Sequence, residues 1–342
     1  MIILAIETSC DETSASVLKA TGGKLELLSN VVSSQIDIHK QYGGVVPEVA
    51  ARHHVQNINP VIVKALEVAK IKPQKLDYLA VVSGPGLVTS LIVGVESAKA
   101  LSVAWKKPLI NVNHMYSHIA GNFLNKIKFP AICLVVSGGH TELVLLKSYN
   151  QFKKIGQTVD DAAGEAFDKV AKLLGLGYPG GPIVSAEAEK LSIINYQLSI
   201  KLPRPLLNSG DFNFSFSGLK TAVLYTVQKM KEKELEQRIP ELCFEFQQAA
   251  VDVLVAKTIK AAQKYRVKTI LIAGGVAANK HLREALRMSA EENNLKFFVP
   301  EFKLCTDNAA MVAIAGYYLA QKKKPSQDDW KKIKVNPNWE LK

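Results

Sequence analysis

Two histidines spaced four residues apart, His114 and His118 in the segment HMYSH, are the residues of this sequence best suited to chemistry. On a helix, residues four apart lie on one face about one turn apart, so both imidazoles can reach a single cation. The pair directly follows the apolar run 109–113, which is typical of a strand. Most pairs at this spacing are chance or surface histidines, so the pair alone predicts half of a metal site.

Asp307 is a candidate for the third ligand. It lies in the segment CTDN at 305–308, directly before an alanine-rich helical pattern that extends to about residue 322. An aspartate at a helix start is a good N-cap, and capping is the simplest interpretation. A carboxylate at this place could instead complete a site of two histidines and one carboxylate.

The N-terminus predicts a hairpin with an acidic, hydroxyl-rich tip, because the apolar run 1–6 and the extended pattern 14–18 flank a polar turn at 7–13. Asp11 and Glu12 in this tip could bind a metal or its waters. They could equally satisfy the backbone of the turn. The sequence leaves both interpretations open.

A second histidine pair, His53 and His54, lies in an amphipathic pattern that predicts a helix from about residue 48 to 69. Adjacent residues on a helix point to different faces, so these two are not suited to chelate one ion. We interpret them as surface or packing histidines.

The strands and helices that would position these residues recur in the second half of the chain. A strand at 131–136, a glycine turn at 137–140 and a second strand at 141–146 repeat the order of the N-terminal hairpin. The sequence therefore predicts an α/β fold of two duplicated lobes whose hairpin tips face a shared cleft, where nucleotides usually bind.

Within this fold we expect a first lobe at 1–128 and a second lobe at 129–306. The second lobe carries a loop-rich and helical insertion at 177–265. The part of it at 177–218 is rich in proline, glycine and aromatic residues and predicts loops around a site, followed by helices at 221–236 and 240–265. The remaining segment, 307–342, is expected to form a C-terminal helix and tail that pack back on the first lobe.

Two glycine turns between a strand and a helix could contact a ligand. The turn 84–86 could offer backbone N–H groups to an anion, or could be an ordinary tight turn. The turn 274–279 follows a buried strand at 269–273, and its glycines would let a base or ribose approach the backbone, with Asn279 placed to bond it. An ordinary strand-to-helix turn is again the alternative.

Composition narrows the class of protein. The 342 residues contain 43 basic and 31 acidic side chains, a net charge of +12, which favours a polyanionic partner such as nucleic acid, although solubility alone could account for it. The four cysteines are dispersed without a CxxC pair, which argues against a zinc ribbon or a disulfide framework and fits a reducing cytosol. We expect no export signal and no membrane span.

Nine segments spread over essentially the whole chain resemble one family, the TsaD group (Kae/Gcp) of tRNA N6-adenosine threonylcarbamoyltransferases, in its bacterial and organellar form. These segments are AIETSCDETS at 5–14, YGGVVPEVAARHH at 42–54, GPGLV at 84–88, HMYSH at 114–118, VSGGHTELV at 136–144, DDAAGEAFDKVAKLLGLGYPGGP at 160–182, FSFSGLKTA at 214–222, AGGVAAN at 273–279 and CTDNAAM at 305–311.

The resemblance implies an actin/Hsp70/sugar-kinase fold of two ribonuclease-H-like lobes with a nucleotide and metal cleft between them. It implies one divalent ion per subunit, Fe²⁺ in preference to Zn²⁺, although this ligand set suits both. The implied metal ligands are His114, His118 and Asp307, and the implied catalytic acidic position is Asp11 with its neighbour Glu12. The implied substrate-binding residues are Val135, Val136, Ser137, Gly138, Gly139, Asp168, Gly181, Ser185 and Asn279.

Two positions depart from the family pattern. Many relatives carry an aspartate able to bind ribose where this chain has Ser185, which puts that contact in doubt. Archaeal relatives carry a tyrosine near the metal where this chain has Val135, so an aromatic role there is lost.

The activity implied by the resemblance is transfer of the threonylcarbamoyl group from threonylcarbamoyl-AMP to the exocyclic amine of the adenosine beside the anticodon, in tRNAs that read ANN codons. The implied partners are tRNA, a small TsaB-like paralogue and a TsaE-like ATPase, or a second copy of the chain, in the cytoplasm and without a membrane.

Three other classes of protein remain for comparison. A metalloprotease of the HExxH type needs a glutamate beside the first histidine, where this chain has Met115. An ATPase or kinase of the same fold has no ordinary use for a two-histidine site. A non-catalytic scaffold paralogue would usually have lost the histidine pair and part of the second lobe.

Overall fold

The computed structural model describes residues 1–191 and 198–341. Residues 192–197 of the insertion expected at 177–265 lie outside the described residues, as does residue 342 of the expected tail. The described strands are β1 (Ile2–Glu7), β2 (Glu12–Thr21), β3 (Lys24–Ser34), β4 (Tyr78–Gly84), β5 (Leu109–Asn113), β6 (Ala131–Val136), β7 (Thr141–Ser148), β8 (Gln151–Gln157), β9 (Thr269–Ala273) and β10 (Lys296–Phe298). The described α-helices are α1 (Ile36–Lys40), α2 (Pro47–Ala69), α3 (Val88–Trp105), α4 (His114–Ala120), α5 (Ala163–Leu173), α6 (Gly180–Leu191), α7 (Ser217–Gln228), α8 (Glu232–Lys264), α9 (Lys280–Glu292) and α10 (Ala309–Lys322).

The chain forms two compact units, each built on one five-stranded sheet. The first unit comprises Met1–Lys126, Ser148–Gln151 and Pro300–Lys342. The second comprises Ile127–Lys147 and Phe152–Val299. In sequence, the second unit is thus inserted within the first.

The two sheets have the same topology. The first has the order β3-β2-β1-β4-β5, and the second, taken from the corresponding edge, has the order β8-β7-β6-β9-β10. In both, the first hairpin is antiparallel, and the strand that opens it pairs with a parallel strand on its other side. This repeat confirms the prediction of a duplicated α/β fold.

The third strand of each sheet, β3 and β8, was not predicted as a strand. Both lie at a sheet edge, and their side chains are mostly exposed or half-buried, with few fully buried positions. An edge strand needs few apolar residues because one side of it faces solvent, so its sequence resembles that of a loop.

The core of the first unit lies between the sheet and the helices α2, α3 and α10. Apolar side chains of β1, β4, α2 and α3 form one buried cluster, which includes Leu4, Ile6, Ile58, Ile62, Val81 and Val95. Helix α10 packs against β1, β2 and β4, and Gly316 allows the approach to β4 because a Cβ there would lie 3.0 Å from the Cβ of Ala80. Within the described part of the chain, α3 is the one helix that is long and apolar enough to cross a membrane, yet it contacts β4 and α2 in this unit.

Two predictions about the insertion are wrong. Helix α6 lies in the region 177–218 that was expected to form loops, and its buried residues Val184, Ala188 and Leu191 follow helical spacing. The proline and glycine residues that suggested a loop are at its start, where the first turn tolerates them.

The boundary between the next two helices is the second error. The break falls between α7 and α8 at residues 229–231, and α8 then continues through Pro240. A proline removes one backbone hydrogen bond, and the carbonyl it frees belongs to Glu236, an exposed residue whose backbone water can reach.

Candidate functional site

Helix α4 presents both histidines of the HMYSH segment in the first unit. Asn113 is its N-cap, and the side-chain oxygen of Asn113 accepts a hydrogen bond from the backbone N–H of Tyr116 at 3.0 Å. His114 and His118 are both buried, and their ring centroids are 4.6 Å apart. Strand β5 ends at Asn113, directly before the helix begins. Both imidazoles therefore lie at the end of the sheet where the parallel strands terminate.

Asp307 lies beside these histidines. Its Oδ1 is 3.1 Å from Nε2 of His118 and 3.6 Å from Nε2 of His114. The N-cap of α10 is Asn308, whose side chain accepts from the backbone N–H of Met311, so the capping interpretation of Asp307 is wrong. One ligand atom from each of His114, His118 and Asp307 lies within 4.8 Å of the other two, which makes this group a possible metal site.

A fully buried carboxylate, Glu7, orients the first histidine. Oε2 of Glu7 lies 3.1 Å from Nδ1 of His114, and the hydroxyl of Ser9 lies 3.1 Å from the same nitrogen. The other oxygen of Glu7 accepts from the backbone N–H of Ser9 at 2.6 Å. A proton on Nδ1 leaves Nε2 of His114 with a lone pair toward Asp307 and His118, which is the arrangement that metal-binding histidines usually have.

The charges around His114 favour a cation at this place. Burial alone would lower the pKa of His114, but the carboxylates of Asp307 and Glu7 raise it to about 9. The carboxylates of Glu7, which is buried, and Asp307, which is half-buried, attract positive charge to this site. A divalent ion would be stabilised by the same two charges.

The ring nitrogens of His118 also fit a metal site, because they make no hydrogen bond to the described residues. Neither ring nitrogen of His118 has a hydrogen-bond partner among the described residues, although Nε2 is close to Asp307, and the side chain is buried. Buried polar atoms normally have partners, so such a nitrogen indicates a missing ligand. Two imidazoles and one carboxylate, with positions open to substrate, are a donor set that suits Fe²⁺ and Zn²⁺.

The acidic tip, residues 8–11 together with Glu12 at the start of β2, belongs to the same unit. Asp11 and Glu12 are both nearly buried. Burial, followed by the charges of Asp11 and Asp307, raises the pKa of Glu12 well above its usual range. The protonated form of Glu12 is therefore favoured, and its side chain is hydrogen-bonded to that of Asp11.

His54 on α2 holds this tip in place. Its Nε2 lies 2.9 Å from the carbonyl oxygen of Cys10, and its Nδ1 lies 2.8 Å from the hydroxyl of Thr13. Burial lowers the pKa of His54, so the neutral ring donates to the carbonyl and accepts from the hydroxyl. The interpretation of His54 as a packing residue thus omits its two bonds to the turn that carries Asp11.

The last described residues of the chain pack on the same end of the first sheet. The Asn113 side chain donates to the carbonyl of Trp339 at 3.0 Å, and the backbone N–H of Asn336 donates to the carbonyl of Ser83 at 2.8 Å. At Gly84, φ is +153°, and a Cβ would lie 1.8 Å from the carbonyl oxygen of Asn336. The glycine of the turn 84–86 therefore makes room for the C-terminal segment.

The second unit contains a cavity of about 750 Å³. Asp168 of α5 lines it, and its Oδ1 accepts from the backbone N–H of Gly180 at 2.7 Å. Burial raises the pKa of Asp168 despite this bond. The cavity is lined by Gly138, Gly164, Phe167, Asp168, Pro179, Gly181, Pro182, Ser185, Ala186, Ala188, Glu189, Phe244, Gln247, Gly275, Val276, Ala278, Asn279, Lys280 and His281.

The cavity collects five of the nine residues that the resemblance assigned to substrate binding: Gly138, Asp168, Gly181, Ser185 and Asn279. Of the other four, Val135 and Val136 are fully buried in β6, so their side chains face the core. Ser137 and Gly139 belong to the turn between β6 and β7, outside this lining as far as the described residues show.

Two glycines, Gly274 in the turn after β9 and Gly164 in α5, lie where backbone segments meet beside the cavity. At Gly274, φ is +89° and a Cβ would lie 2.3 Å from the carbonyl oxygen of Val136. At Gly164 a Cβ would lie 2.6 Å from the carbonyl oxygen of Ser137. A side chain at either position would collide with this backbone, so both glycines are needed for the packing beside the cavity.

Three residues of these sites were not found from the sequence: Glu7, Ser9 and Gln247. Glu7 and Ser9 lie within the segment AIETSCDETS, but nothing in their spacing indicates contact with a histidine more than a hundred positions later. Gln247 lies in the middle of the long helix α8, with no local signal.

Comparison with known proteins identifies similar chains. The TsaD family model, described as tRNA N6-adenosine threonylcarbamoyltransferase, matches residues 26–314. The proteins of that name from Thermosipho africanus (strain TCF52B) and Bacillus subtilis (strain 168) are both 52% identical to this chain. The first match covers 94% of this chain and 95% of its relative, and the second covers 92% and 90%.

Solved structures show the same fold at low sequence identity. HypF from T.kodakarensis has a TM-score of 0.63 at 15% identity, over 95% of this chain and 49% of HypF. Component A of the Acidaminococcus fermentans (R)-2-hydroxyglutaryl-CoA dehydratase has a TM-score of 0.54 at 15% identity, over 94% and 99%. These structures confirm the predicted fold class.

Proposed function

Because this chain belongs to the TsaD family of tRNA N6-adenosine threonylcarbamoyltransferases, we propose that it takes the threonylcarbamoyl group from threonylcarbamoyl-AMP and transfers it to the adenosine beside the anticodon, in tRNAs that read ANN codons. Membership makes the chain a transferase that acts on tRNA, as the resemblance predicted. The observation that carries the finer proposal is the convergence of His114, His118 and Asp307 in a unit that also holds the acidic tip.

The reaction forms one bond and breaks one. The N6 amine attacks the carbamoyl carbon, the bond from that carbon to the phosphate oxygen breaks, AMP leaves with the electron pair, and the amine loses a proton. The exocyclic amine is a weak nucleophile whereas AMP is a good leaving group. The protein therefore needs chiefly to position both substrates and to stabilise charge on the acyl and phosphate oxygens.

We assign the metal centre to His114, His118 and Asp307, with one divalent ion per subunit, Fe²⁺ in preference to Zn²⁺. When bound, such an ion would supply Lewis-acid polarisation of a carbonyl or a counter-charge for phosphate. The residues themselves prepare the site: Glu7 holds the proton on Nδ1 of His114, and Asn113 fixes the start of α4. Asp307 contributes the charge that a neutral histidine pair lacks.

We assign proton transfer to the acidic tip. Burial raises the pKa of Glu12, and the charges of Asp11 and Asp307 raise it further, so the tip lies near Asp307, which supports its position beside the proposed metal centre. The carboxyl groups of Asp11 and Glu12 are suited to take up and relay the proton that the amine loses. His54 and Thr13 keep the turn in the conformation that presents these carboxyl groups.

We place the adenylate part of the donor in the cavity of the second unit. Its lining offers apolar side chains such as Phe167 and Val276 for a base, together with Asp168 as an acceptor for a ribose hydroxyl. The glycines at 138, 181 and 275 leave backbone accessible to the ligand. The Ser185 hydroxyl bonds to the Gln247 side chain, so a ribose contact by residue 185 is not part of this proposal.

The remaining parts of the proposal rest on the family alone. By that likeness, the chain works in the cytoplasm, either with a small TsaB-like paralogue and a TsaE-like ATPase or as a homodimer. A transfer assay performed with and without those two proteins distinguishes these arrangements.

The decisive experiment is transfer of the threonylcarbamoyl group from threonylcarbamoyl-AMP to unmodified tRNA, with the modified nucleoside measured by mass spectrometry. We expect modified adenosine with the wild-type chain and none with His118→Ala, while thermal unfolding shows that the variant is folded. His53→Ala, the same change at a half-buried histidine of α2, should retain activity. Full activity of His118→Ala would overturn the metal assignment, and an inactive wild type with all partners present would overturn the reaction.

A further inference from the structure

A hydrogen-bonded triad of polar side chains lies along the cavity of the second unit. The Nδ2 of Asn279 donates to the hydroxyl oxygen of Ser185 at 2.9 Å and to Oε1 of Gln247 at 2.8 Å. The Ser185 hydroxyl is 2.8 Å from the same Gln247 oxygen. All three residues line the cavity. Ser185 and Asn279 were expected at a substrate site, whereas nothing in the sequence singled out Gln247.

The N-cap hydrogen bond of Asn279 determines which atoms of the triad donate and which accept. Asn279 is the N-cap of α9, and its Oδ1 accepts the backbone N–H of Leu282 at 2.9 Å. A backbone N–H can only donate, so the opposite end of the Asn279 amide must be its NH₂ group. That NH₂ group faces Gln247, so the Gln247 atom that meets it must be the oxygen, because two NH₂ groups at 2.8 Å would repel.

Because the oxygen of the Gln247 amide faces Asn279 and Ser185, the Nε2 amine at its other end has no acceptor within the triad. The Oε1 atom of Gln247 accepts hydrogen bonds from the Asn279 amide and the Ser185 hydroxyl. Its Nε2 has no hydrogen-bond partner among the described residues. Gln247 is only 5% exposed and lines the cavity. The Nε2 amine is therefore open to the cavity, and a ligand bound there can accept its hydrogen bond in place of water.

We propose that Gln247 is a nucleotide-binding residue: its Nε2 donates a hydrogen bond to an acceptor on the adenosine part of the ligand in this cavity. The inference rests on the proposed function, which places that nucleotide here. Asp168 accepts hydrogen bonds in the same cavity and Gln247 donates them, so the pair matches groups such as ribose hydroxyls that do both. Asn279 and Ser185 then act as positioning residues that orient the Gln247 amide.

Calorimetric titration of the full chain with AMP tests this assignment. Gln247→Leu removes the donor, and Gln247→Glu replaces it with an oxygen while it keeps an acceptor for Asn279. We expect both variants to bind AMP about tenfold more weakly or worse, a change of about 1.4 kcal/mol. Gln263→Glu makes the same substitution on the same helix, away from this cavity, and should bind AMP within about twofold of the wild type.

AMP analogues locate the acceptor. We expect that one analogue, 2′-deoxy-AMP or 3′-deoxy-AMP, binds the wild type more weakly and loses nothing further in Gln247→Leu, because the same hydrogen bond has already been removed. Additive losses with both analogues would point to the base, and one of 1-deaza-AMP, 3-deaza-AMP and 7-deaza-AMP should then show the non-additive behaviour. Additive losses with all five analogues would overturn the direct contact with the ribose hydroxyls or the base.

AMP binding by the wild type tests the nucleotide site, and AMP binding by the Gln247 variants tests the role of this residue. If the wild type and the Gln263→Glu variant bind AMP, and both Gln247 variants bind it equally well, the role of Gln247 is wrong while the nucleotide site stands. If the wild type does not bind AMP, the placement of the nucleotide in this cavity is wrong, and the role of Gln247 falls with it. Thermal unfolding of each variant excludes loss of the fold as the cause, and Gln247→Glu carries the test if Gln247→Leu does not fold.

Discussion

The Nδ1 atom of His114 lies 3.1 Å from a carboxylate oxygen of Glu7, a residue at the end of β1 that is fully buried. This contact joins the first strand of the chain to the helix that carries the two histidines. It fixes which ring nitrogen of His114 holds the proton and therefore which one is available to an ion.

Glu7→Gln should weaken metal binding without loss of the fold. The amide has the shape of the carboxylate but not its charge, so it orients His114 less strongly and makes its nitrogen less basic. We expect a loss of about 10–100-fold in affinity for a divalent ion, measured by competition with a chelator. Glu26→Gln, an exposed substitution on β3, is the matched control. Unchanged affinity in Glu7→Gln would show that Glu7 does not support the site.

The neighbours Asp307 and Asn308 should separate metal binding from helix capping. Asp307→Asn should remove most bound metal, as elemental analysis would show, and should change the stability of the metal-free protein little. Asn308→Ala should retain the metal and lower the free energy of unfolding by about 1 kcal/mol, because α10 loses its cap. Unfolding in urea with a chelator present keeps metal binding from adding to stability. The reverse pattern would restore Asp307 as the cap.

His54 should make stability dependent on pH. Burial lowers its folded-state pKa, while the Cys10 carbonyl and the charges of Glu7 and Asp11 oppose that effect and His39 adds to it. The unfolded chain therefore binds a proton more readily. The contribution of His54 is complete above its unfolded pKa of about 6.5 and is lost as pH falls toward the folded pKa.

The test of His54 compares free energies of unfolding at about pH 7.5 and 5.5 for the wild type and His54→Gln. Glutamine can still donate to the Cys10 carbonyl but does not titrate. We expect the wild type to lose more stability than the variant between these two pH values. Equal losses would assign the pH dependence to other groups, of which His39, whose pKa burial also lowers, is the first candidate.

Adjacent glycines provide a stability test of the strand-to-helix turn after β9. Gly274→Ala should lower the free energy of unfolding by about 2 kcal/mol or more, because φ is +89° and the new Cβ would meet the carbonyl oxygen of Val136. Gly275→Ala should change stability by less than about 0.5 kcal/mol, since its Cβ would have no neighbour within 4 Å. Similar losses at both positions would contradict this account of the turn.

Much of the fold could be predicted from the sequence because its signals are local. The inner strands are continuous apolar runs. Helices α2 and α10 have clear starts and stops, so the predicted bounds of these two helices agree with the structure to within a residue or two. The edge strands β3 and β8 were missed because an edge needs little apolar sequence. Helix α6 was missed because its glycines and proline stand where a helix start tolerates them.

The sites were less accessible to sequence reasoning because their parts meet only in the folded chain. Spacing indicated His114 and His118, but for Asp307 a ligand role competed with a capping role, and only the structure assigns the cap to Asn308. The role of Glu7 depends on β1 and α4 lying side by side, and the free amine of Gln247 depends on the polarity of a bond network anchored at Leu282. Neither the role of Glu7 nor that of Gln247 produces a periodic pattern in the sequence.

The interruption of the first unit by the second also orders events during translation. His114 and His118 leave the ribosome before any residue of the second unit, whereas Asp307 and the segment that bonds to Asn113 follow after Val299. A nascent chain that has completed the second unit therefore still holds only two of the three proposed metal ligands. Under the proposed assignment, tight metal uptake would begin only once Asp307 has been made, so occupancy of the site would report that nearly the whole chain has been synthesised and folded.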